Sequence, residues 1–244
     1  MTFKDNISGR RGFTRSIAIG ATAIAIGGGA YGIVSATAST GSATATATSA
    51  SAATPAQHVP GGGGSNARSG PAAGGSIGKV SSVSTSGFTL LTATGEKVTV
   101  EETSSTKYEK GTNSASASAV TKGKTALVLG TTDSTTITAT QVIVQPANSG
   151  SKTASEVVAF KQGTPSTSKQ VGQIPASYKQ GSGTIVSGTT ANKATKAALA
   201  AYPGGIVDRV VKLSNGEYEV HNIGVNWPHH IFVNQEFKVI GADD

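Results

Sequence analysis

Cysteine is absent from this chain, and aromatic residues are scarce: its 244 residues include six Phe, five Tyr and one Trp. Without cysteine the protein has no disulfide framework, no thiolate metal site and no cysteine nucleophile. With so few aromatic side chains, we expect small and mostly aliphatic hydrophobic cores. Glycine is abundant, at 32 residues, and charged residues make up 14% of the chain. This composition favours short β-hairpins and linkers over a large enzyme fold.

Basic residues outnumber acidic ones, which gives a formal net charge of +7. Nucleic-acid binding needs cations focused on one surface. Here Lys4, Arg10, Arg11 and Arg15 cluster near the N-terminus, and the lysines between residues 152 and 196 are dispersed along the chain. We therefore expect no nucleic-acid partner.

An uncharged stretch, residues 16–34, directly follows the N-terminal cations. This order is typical of a signal sequence or membrane anchor whose basic end stays in the cytoplasm. One alternative is a retained single transmembrane segment; the other is a signal cleaved near residues 36–38 (Ala-Thr-Ala). Residues 10–13 (Arg-Arg-Gly-Phe) resemble the twin-arginine export motif and equally suit simple positive-inside charge. Either way we expect an exported protein, anchored in the cytoplasmic membrane with its C-terminus outside, or secreted.

Composition divides the rest of the chain into folded and unfolded segments. Two stretches rich in Ala, Ser, Thr, Gly or Lys lack the periodicity that would bury a face, so we expect a disordered spacer and a flexible basic linker. The predicted segments are a basic cytoplasmic end (1–15), a signal or anchor (16–34), the spacer (35–76), a small β-barrel (77–146), the linker (147–183) and an α+β domain (184–244).

Turn signals recur at short intervals between alternating segments in residues 77–146, which predicts all-β structure. We expect strands at residues 77–83, 88–93, 97–101, 106–108, 125–129 and 136–144. A closed sheet would leave few exposed edges, so a small barrel or curled meander suits this number of short strands.

Several short motifs in residues 77–146 carry a resemblance to a known family. They are Gly78-Lys79-Val80, Phe88, Gly95, Val98-Thr99-Val100, Thr106-Lys107-Tyr108, Gly123-Lys124, Gly130 and Ala139-Thr140-Gln141-Val142. In this order they resemble a bacterial family of extracytoplasmic domains of unknown function. The resemblance implies an OB-like barrel without catalytic residues.

Residues 184–244 predict one helix followed by a three-stranded antiparallel meander, which together form an α+β unit. Thr189 or Thr190 is expected to cap a helix over residues 191–201. The expected strands are residues 206–213, 217–223 and 230–239, the first two joined by an Asn215-Gly216 hairpin turn.

Three runs in this last segment resemble a PepSY-type domain: residues 197–207, 216–221 and 232–239. One departure is that relatives usually carry an Asp-Gly turn between the last two strands, where residues 225–230 are longer and bulkier. The resemblance implies a noncatalytic extracytoplasmic module, proposed in some relatives to regulate peptidases or to mediate envelope interactions.

Candidate functional residues cluster in the same domain. Glu219 and His221 share one face of a predicted strand, and a loop could bring His229 or His230 near them. Imidazole and carboxylate groups suit zinc or nickel. The alternative is a solvated polar face with exposed histidines. We favour the solvated face, and so expect no metal, no cofactor and no catalytic residue.

The loop of residues 226–230 is expected to be exposed and to contact a partner through Trp227, Pro228, His229 and His230, because tryptophan is a common interface anchor. The sequence thus predicts an exported, envelope-tethered, noncatalytic interaction or regulatory protein whose partner is another envelope protein, with a peptidase as one class. The alternative function is metal or small-ligand binding through His221 and His229 or His230.

Overall fold

The structure, a computed structural model, describes residues 70–146, 156–165 and 167–244. The predicted segments 1–15 and 16–34, and residues 35–69 of the predicted spacer, lie outside the described residues. All described residues belong to the compact unit His58–Asp244. Within the described ranges, none of the helical structure is both long and apolar enough to cross a membrane.

The described chain is mostly β, with one α-helix. Its first half contains β1 (Ala72–Val83), β2 (Gly87–Thr92), β3 (Lys97–Glu101), β4 (Lys107–Lys110), β5 (Asn113–Ala115), a 3₁₀ turn (Ala117–Ala119), β6 (Thr125–Asp133) and β7 (Thr136–Val144). Its second half contains β8 (Val158–Ala159), β9 (Val171–Gly172), β10 (Thr184–Ile185), α1 (Gly188–Ala201), β11 (Ile206–Lys212), β12 (Tyr218–Ile223), β13 (Val225–Trp227), β14 (His230–Val233) and β15 (Val239–Asp243).

Five strands close into a barrel, as the sequence predicts. β1, β2 and β3 form an antiparallel meander, β3 pairs in parallel with β7, β7 pairs with β6, and β6 returns to β1. The predicted alternation in β3 is confirmed, since Val98 and Val100 are buried while Lys97, Thr99 and Glu101 are exposed. The barrel interior is filled mainly by aliphatic side chains around Phe88, consistent with the scarcity of aromatic residues.

β1 begins at Ala72, so the predicted start at residue 77 is wrong and residues 72–76 of the predicted spacer belong to this strand. The reason is close backbone packing. A Cβ at Gly74 would overlap the carbonyl oxygen of Val207, and a Cβ at Gly75 would overlap that of Val128. Only glycine lets three strands approach so closely here.

Through the same strand, the barrel joins the C-terminal sheet. Gly75 and Ser76 of β1 pair with Val207 and Ile206 of β11, and Ser76 Oγ donates a hydrogen bond to the Gly205 carbonyl at 2.9 Å. Ile206 packs in the barrel core. The barrel residues Leu127, Leu129 and Ile143 pack in the other core, beside α1. The two cores therefore share a continuous sheet.

β11, β12, β14 and β15 form an antiparallel sheet that packs one face against α1. The helix buries a face of small residues with Leu199. It begins at Gly188, and Ser187 at the N-cap makes no side-chain capping bond. The predicted threonine cap is therefore wrong, because Thr189 and Thr190 lie inside the first turn. Pairing of β10 with β11 sets where the chain enters the helix and overrides the local capping preference.

The predicted third strand, residues 230–239, is two strands, so the sheet is a four-stranded rather than a three-stranded meander. β14 and β15 are separated by a turn at residues 234–238. Asn234 Oδ1 accepts the backbone N–H groups of Glu236 and Lys238, at 3.1 and 2.9 Å. An asparagine that accepts its own following amides stabilises a turn within an otherwise strand-like sequence.

An extended segment between the barrel and the helix lies along the C-terminal sheet. We call residues 156–165 and 167–180 the strap. Its β8 pairs with β13 and its β9 pairs with β15. Its composition, rich in Ser, Gly, Lys and Gln, predicts a flexible linker in which only residues 156–160 resemble a strand. β8 lies within those residues, whereas no pattern in the sequence indicates β9.

Candidate functional site

A row of charged and polar side chains crosses the sheet on the face opposite α1. Arg209 lies opposite His221, His221 opposite His230, and His230 opposite Asp243. Side chains at directly opposed positions of antiparallel strands share a face. Their sequence neighbours, including Val210, Val220 and Ile231, point instead into the core beside α1, as alternation requires. We call Arg209, His221, His230, Asp243 and the adjacent Glu219 the polar row.

Each of the three histidines among the described residues has its Nδ1 atom within hydrogen-bond distance of an oxygen atom. His221 Nδ1 lies 2.7 Å from Asp208 Oδ1, His230 Nδ1 lies 2.9 Å from Glu219 Oε1, and His229 Nδ1 lies 3.1 Å from the carbonyl oxygen of Asn222. Ionised carboxylate and carbonyl oxygens accept hydrogen bonds, so in each case the imidazole donates. The proton on Nδ1 leaves Nε2 of a neutral ring as an acceptor.

The three rings lie close together. The centroid of His221 is 5.2 Å from that of His230 and 6.3 Å from that of His229. The structure therefore brings together the residues that the sequence singles out, His221, His229, His230 and Glu219. Across residues 70–146, 156–165 and 167–244, however, no group of three or more His, Asp or Glu has a geometry that could hold a metal ion.

The expectation of a solvated polar face is wrong. Glu219 is fully buried, and His221 and His230 are 3% and 4% exposed. The strap provides the cover: the ring of Tyr178 lies 5.5 Å from that of His230 and meets Phe232 edge-on at 4.8 Å. Burial raises the pKa of Tyr178, and the charges of Glu219 and Asp243 raise it further. The phenol therefore stays neutral over this face.

Two buried members of the polar row are incompletely paired. Arg209, 2% exposed, donates from Nη1 to Asp208 Oδ2 at 3.0 Å. Within the described part of the chain, Arg209 Nε and Nη2 and Glu219 Oε2 have no hydrogen-bond partner. Burying charged groups is costly unless each is fully paired. The polar row therefore contains buried polar atoms whose loss of hydration is not offset by hydrogen bonds among the described residues.

The predicted exposure of residues 226–230 is also wrong. Trp227 is fully buried, Pro228 and His230 are buried and His229 is half-buried. Trp227 lies in β13 and donates from Nε1 to the carbonyl oxygen of Lys169 at 2.6 Å. The strap covers this segment because β8 pairs with β13. In the folded protein Trp227 is thus a core side chain held beneath the strap.

Phe160 is not among the residues that the sequence predicts as partner contacts, but the structure exposes it. Phe160 is 59% exposed, and Val158, two residues earlier on the strap, is 39% exposed. The signal that could have found them is a short apolar run, residues 157–160, within an otherwise polar segment. Lone exposed apolar residues are common, but this pair lies on the segment that covers the candidate site.

Comparison of the chain with protein-family models, with curated proteins and with solved structures gives no match.

Acidification is predicted to destabilise the fold through His229. Burial lowers the pKa of His229 below 6.5; the Asn222 carbonyl opposes this shift, the neighbouring His221 and His230 reinforce it, and Asp244 opposes it. The unfolded chain then takes up this proton at a higher pH than the folded chain. The contribution of His229 to stability is thus complete above its unfolded pKa and is lost as pH falls through its folded pKa.

We expect the free energy of unfolding in urea to fall between about pH 7.5 and about pH 5, and to fall less in His229→Gln than in the natural chain. His58→Gln, which changes a histidine outside the described residues, serves as the matched control. An equal pH dependence in the natural chain and His229→Gln would contradict this assignment.

Proposed function

We propose that the protein is an exported, envelope-tethered, noncatalytic interaction or regulatory protein whose C-terminal sheet contacts a protein partner. The polar row beneath the strap carries this proposal. A sheet face that needed only to be buried would be filled with apolar side chains, as the face against α1 is. On the opposite face Arg209 and Glu219 are buried and have polar atoms without a hydrogen-bond partner among the described residues, and the cover is the strap.

The proposal also uses the two family resemblances, whose outlines can be compared with the strand pairings. The barrel closes in the order β1, β2, β3, β7, β6, with a parallel β3–β7 pair, as a five-stranded OB-like Greek-key barrel does. A helix followed by an antiparallel meander, the outline of the PepSY-type resemblance, occurs in residues 188–243. In this proposal the barrel is a support that holds β11 and its Arg209, and a peptidase is the partner class that the PepSY resemblance implies.

Export is proposed from residues 1–34, where four cations precede an uncharged stretch. The absence of cysteine makes a direct test available, because one introduced cysteine is the only thiol in the chain. Phe160→Cys gives an exposed thiol on the strap, and Asn6→Cys places a thiol in the basic end of the sequence.

In intact cells, a membrane-impermeant maleimide is expected to label Phe160→Cys and to label Asn6→Cys only after lysis. If the signal is cleaved, the mature protein lacks the Asn6→Cys thiol while Phe160→Cys is still labelled. Protection of Phe160→Cys until the cells are lysed would contradict export.

A second candidate function is metal or small-ligand binding through His221, His229 and His230. The observation that favours it is that each ring has Nδ1 held by a carboxylate or carbonyl oxygen. Such bonds orient histidine ligands in metal sites and leave Nε2 for the ion. No group of three or more His, Asp or Glu among the described residues is placed to hold a metal ion. For binding, the histidine rings would therefore need to turn toward a common point.

Calorimetric titration with zinc, nickel and copper tests this second candidate. If it is correct, the natural chain takes up one ion with micromolar affinity, on the order of 8 kcal/mol, and His221→Ala loses that binding. His58→Ala removes a histidine that lies outside the described residues. It is therefore the control for nonspecific metal binding by histidine. No heat with any of the three ions would rule the candidate out.

A further inference from the structure

We propose that the strap occupies, within one molecule, a binding site for an extended segment of another protein. The site is the outer edge of β15 together with the polar row and Trp227. The partner segment has a lysine or arginine, a glycine three residues later and an aromatic residue six residues after that glycine. This proposal rests on the proposed function and specifies the surface and the partner for it.

Lys169 defines the first position of the motif. Its carbonyl oxygen accepts the hydrogen bond from Trp227 Nε1, and its Nζ lies 4.2 Å from the centre of the indole ring. A cation over an aromatic face is attracted by the ring quadrupole. The indole therefore recognises both the backbone and the charge of an extended segment at this point.

Gly172 defines the second position. Val171 and Gly172 pair with Ala242 and Gly241 at the edge of β15, and the Gln173 N–H donates to the carbonyl oxygen of Ile240 at 2.8 Å. Gly172 has a φ of +71°, and a Cβ there would overlap the Ile240 carbonyl oxygen. The site thus selects glycine for both its conformation and its lack of a side chain.

Tyr178 defines the third position, because its ring packs on His230 and Phe232 over the polar row. Main-chain pairing at a sheet edge combined with side-chain contacts is the way in which domains bind peptides by strand addition. The strap supplies all three contacts from its own chain.

Two observations indicate that another segment can replace the strap. First, β9 is only two residues long, and Val171, Gly172 and Gln173 are exposed. Second, with the strap bound, Arg209 Nε and Nη2 remain without a partner among the described residues. These two atoms form one edge of the guanidinium group, which binds a carboxylate through two parallel hydrogen bonds. A partner segment that also brings a carboxylate to Arg209 gains an interaction that the strap lacks.

Two glycine variants separate release of the strap from loss of the site. Gly172→Ala alters the strap and leaves the sheet unchanged. Gly241→Ala alters the sheet, because a Cβ at Gly241 would overlap the backbone of Gln173. Both variants are expected to release the strap, but only Gly172→Ala retains a surface that accepts a glycine-containing segment. Tyr178→Ala is a second variant that weakens the strap without changing the sheet.

The probe is a fluorescent synthetic peptide with the sequence of residues 167–180, added to the full chain and followed by fluorescence anisotropy. When the strap fills most of the sites, the apparent association constant of the peptide equals its intrinsic value multiplied by the fraction of sites that are free. We expect Gly172→Ala and Tyr178→Ala to bind the peptide at least about tenfold more tightly than the natural chain. Gly241→Ala is expected to show no such gain, and the peptide carrying Gly172→Ala is expected not to bind.

Strap release is measured separately from the emission of Trp227, the only tryptophan in the chain. A red shift is expected in Gly172→Ala and Gly241→Ala, and none in the control Gln170→Ala. The proposed site would be overturned if Gly172→Ala and Tyr178→Ala release the strap but do not bind the peptide. It would also be overturned if Gly241→Ala binds the peptide as tightly as Gly172→Ala does. So would a dimer of the natural chain formed by strap exchange, since the occupant would then be a second copy. None of these results bears on export, which the maleimide labelling tests on its own.

Discussion

Two glycines of β1 hold the described structure together. Gly74 and Gly75 let the backbone of β1 lie against β6 on one side and β11 on the other, at a separation that no Cβ would permit. Because of this contact the barrel sheet continues into the C-terminal sheet, and each core includes residues from the other half. The position of β11, and with it Arg209 at one end of the polar row, depends on this pairing.

The polar row and the strap follow from that arrangement. The sheet presents an apolar face to α1 and a polar face to the other side, and the chain crosses the polar side on its way from the barrel to the helix. Glu219, His221 and His230 are buried, Tyr178 of the strap packs on His230, and part of the polar row has no hydrogen-bond partner among the described residues. Because incompletely paired buried charges do not add to stability, this surface is the part of the fold to which we assign the proposed contact with another chain.

Local patterns predicted the barrel strands, the helix and the β11–β12 hairpin, and long-range contacts decided the rest. Alternation identified β3 and β7 with their observed bounds, and Asn215-Gly216 marked the β11–β12 hairpin. The glycine-rich start of β1 has the composition of a spacer. Nothing in the local sequence indicates that two other strands approach it. Trp227 resembles an exposed interface residue for the same reason, since its cover comes from Lys169, 58 residues earlier. The grouping of His221 with His229 and His230 was predictable; the packing of Tyr178 on His230 was not.

Cooperativity of unfolding tests the central claim most directly. Trp227 emission reports on the C-terminal sheet, and amide hydrogen exchange at β3 and β7 reports on the barrel. If the β1 pairing makes one folding unit, both probes give the same free energy of unfolding, and Gly74→Ala lowers both by the same amount, about 2 to 3 kcal/mol. Two different free energies, or a loss in Gly74→Ala confined to one probe, would contradict the account.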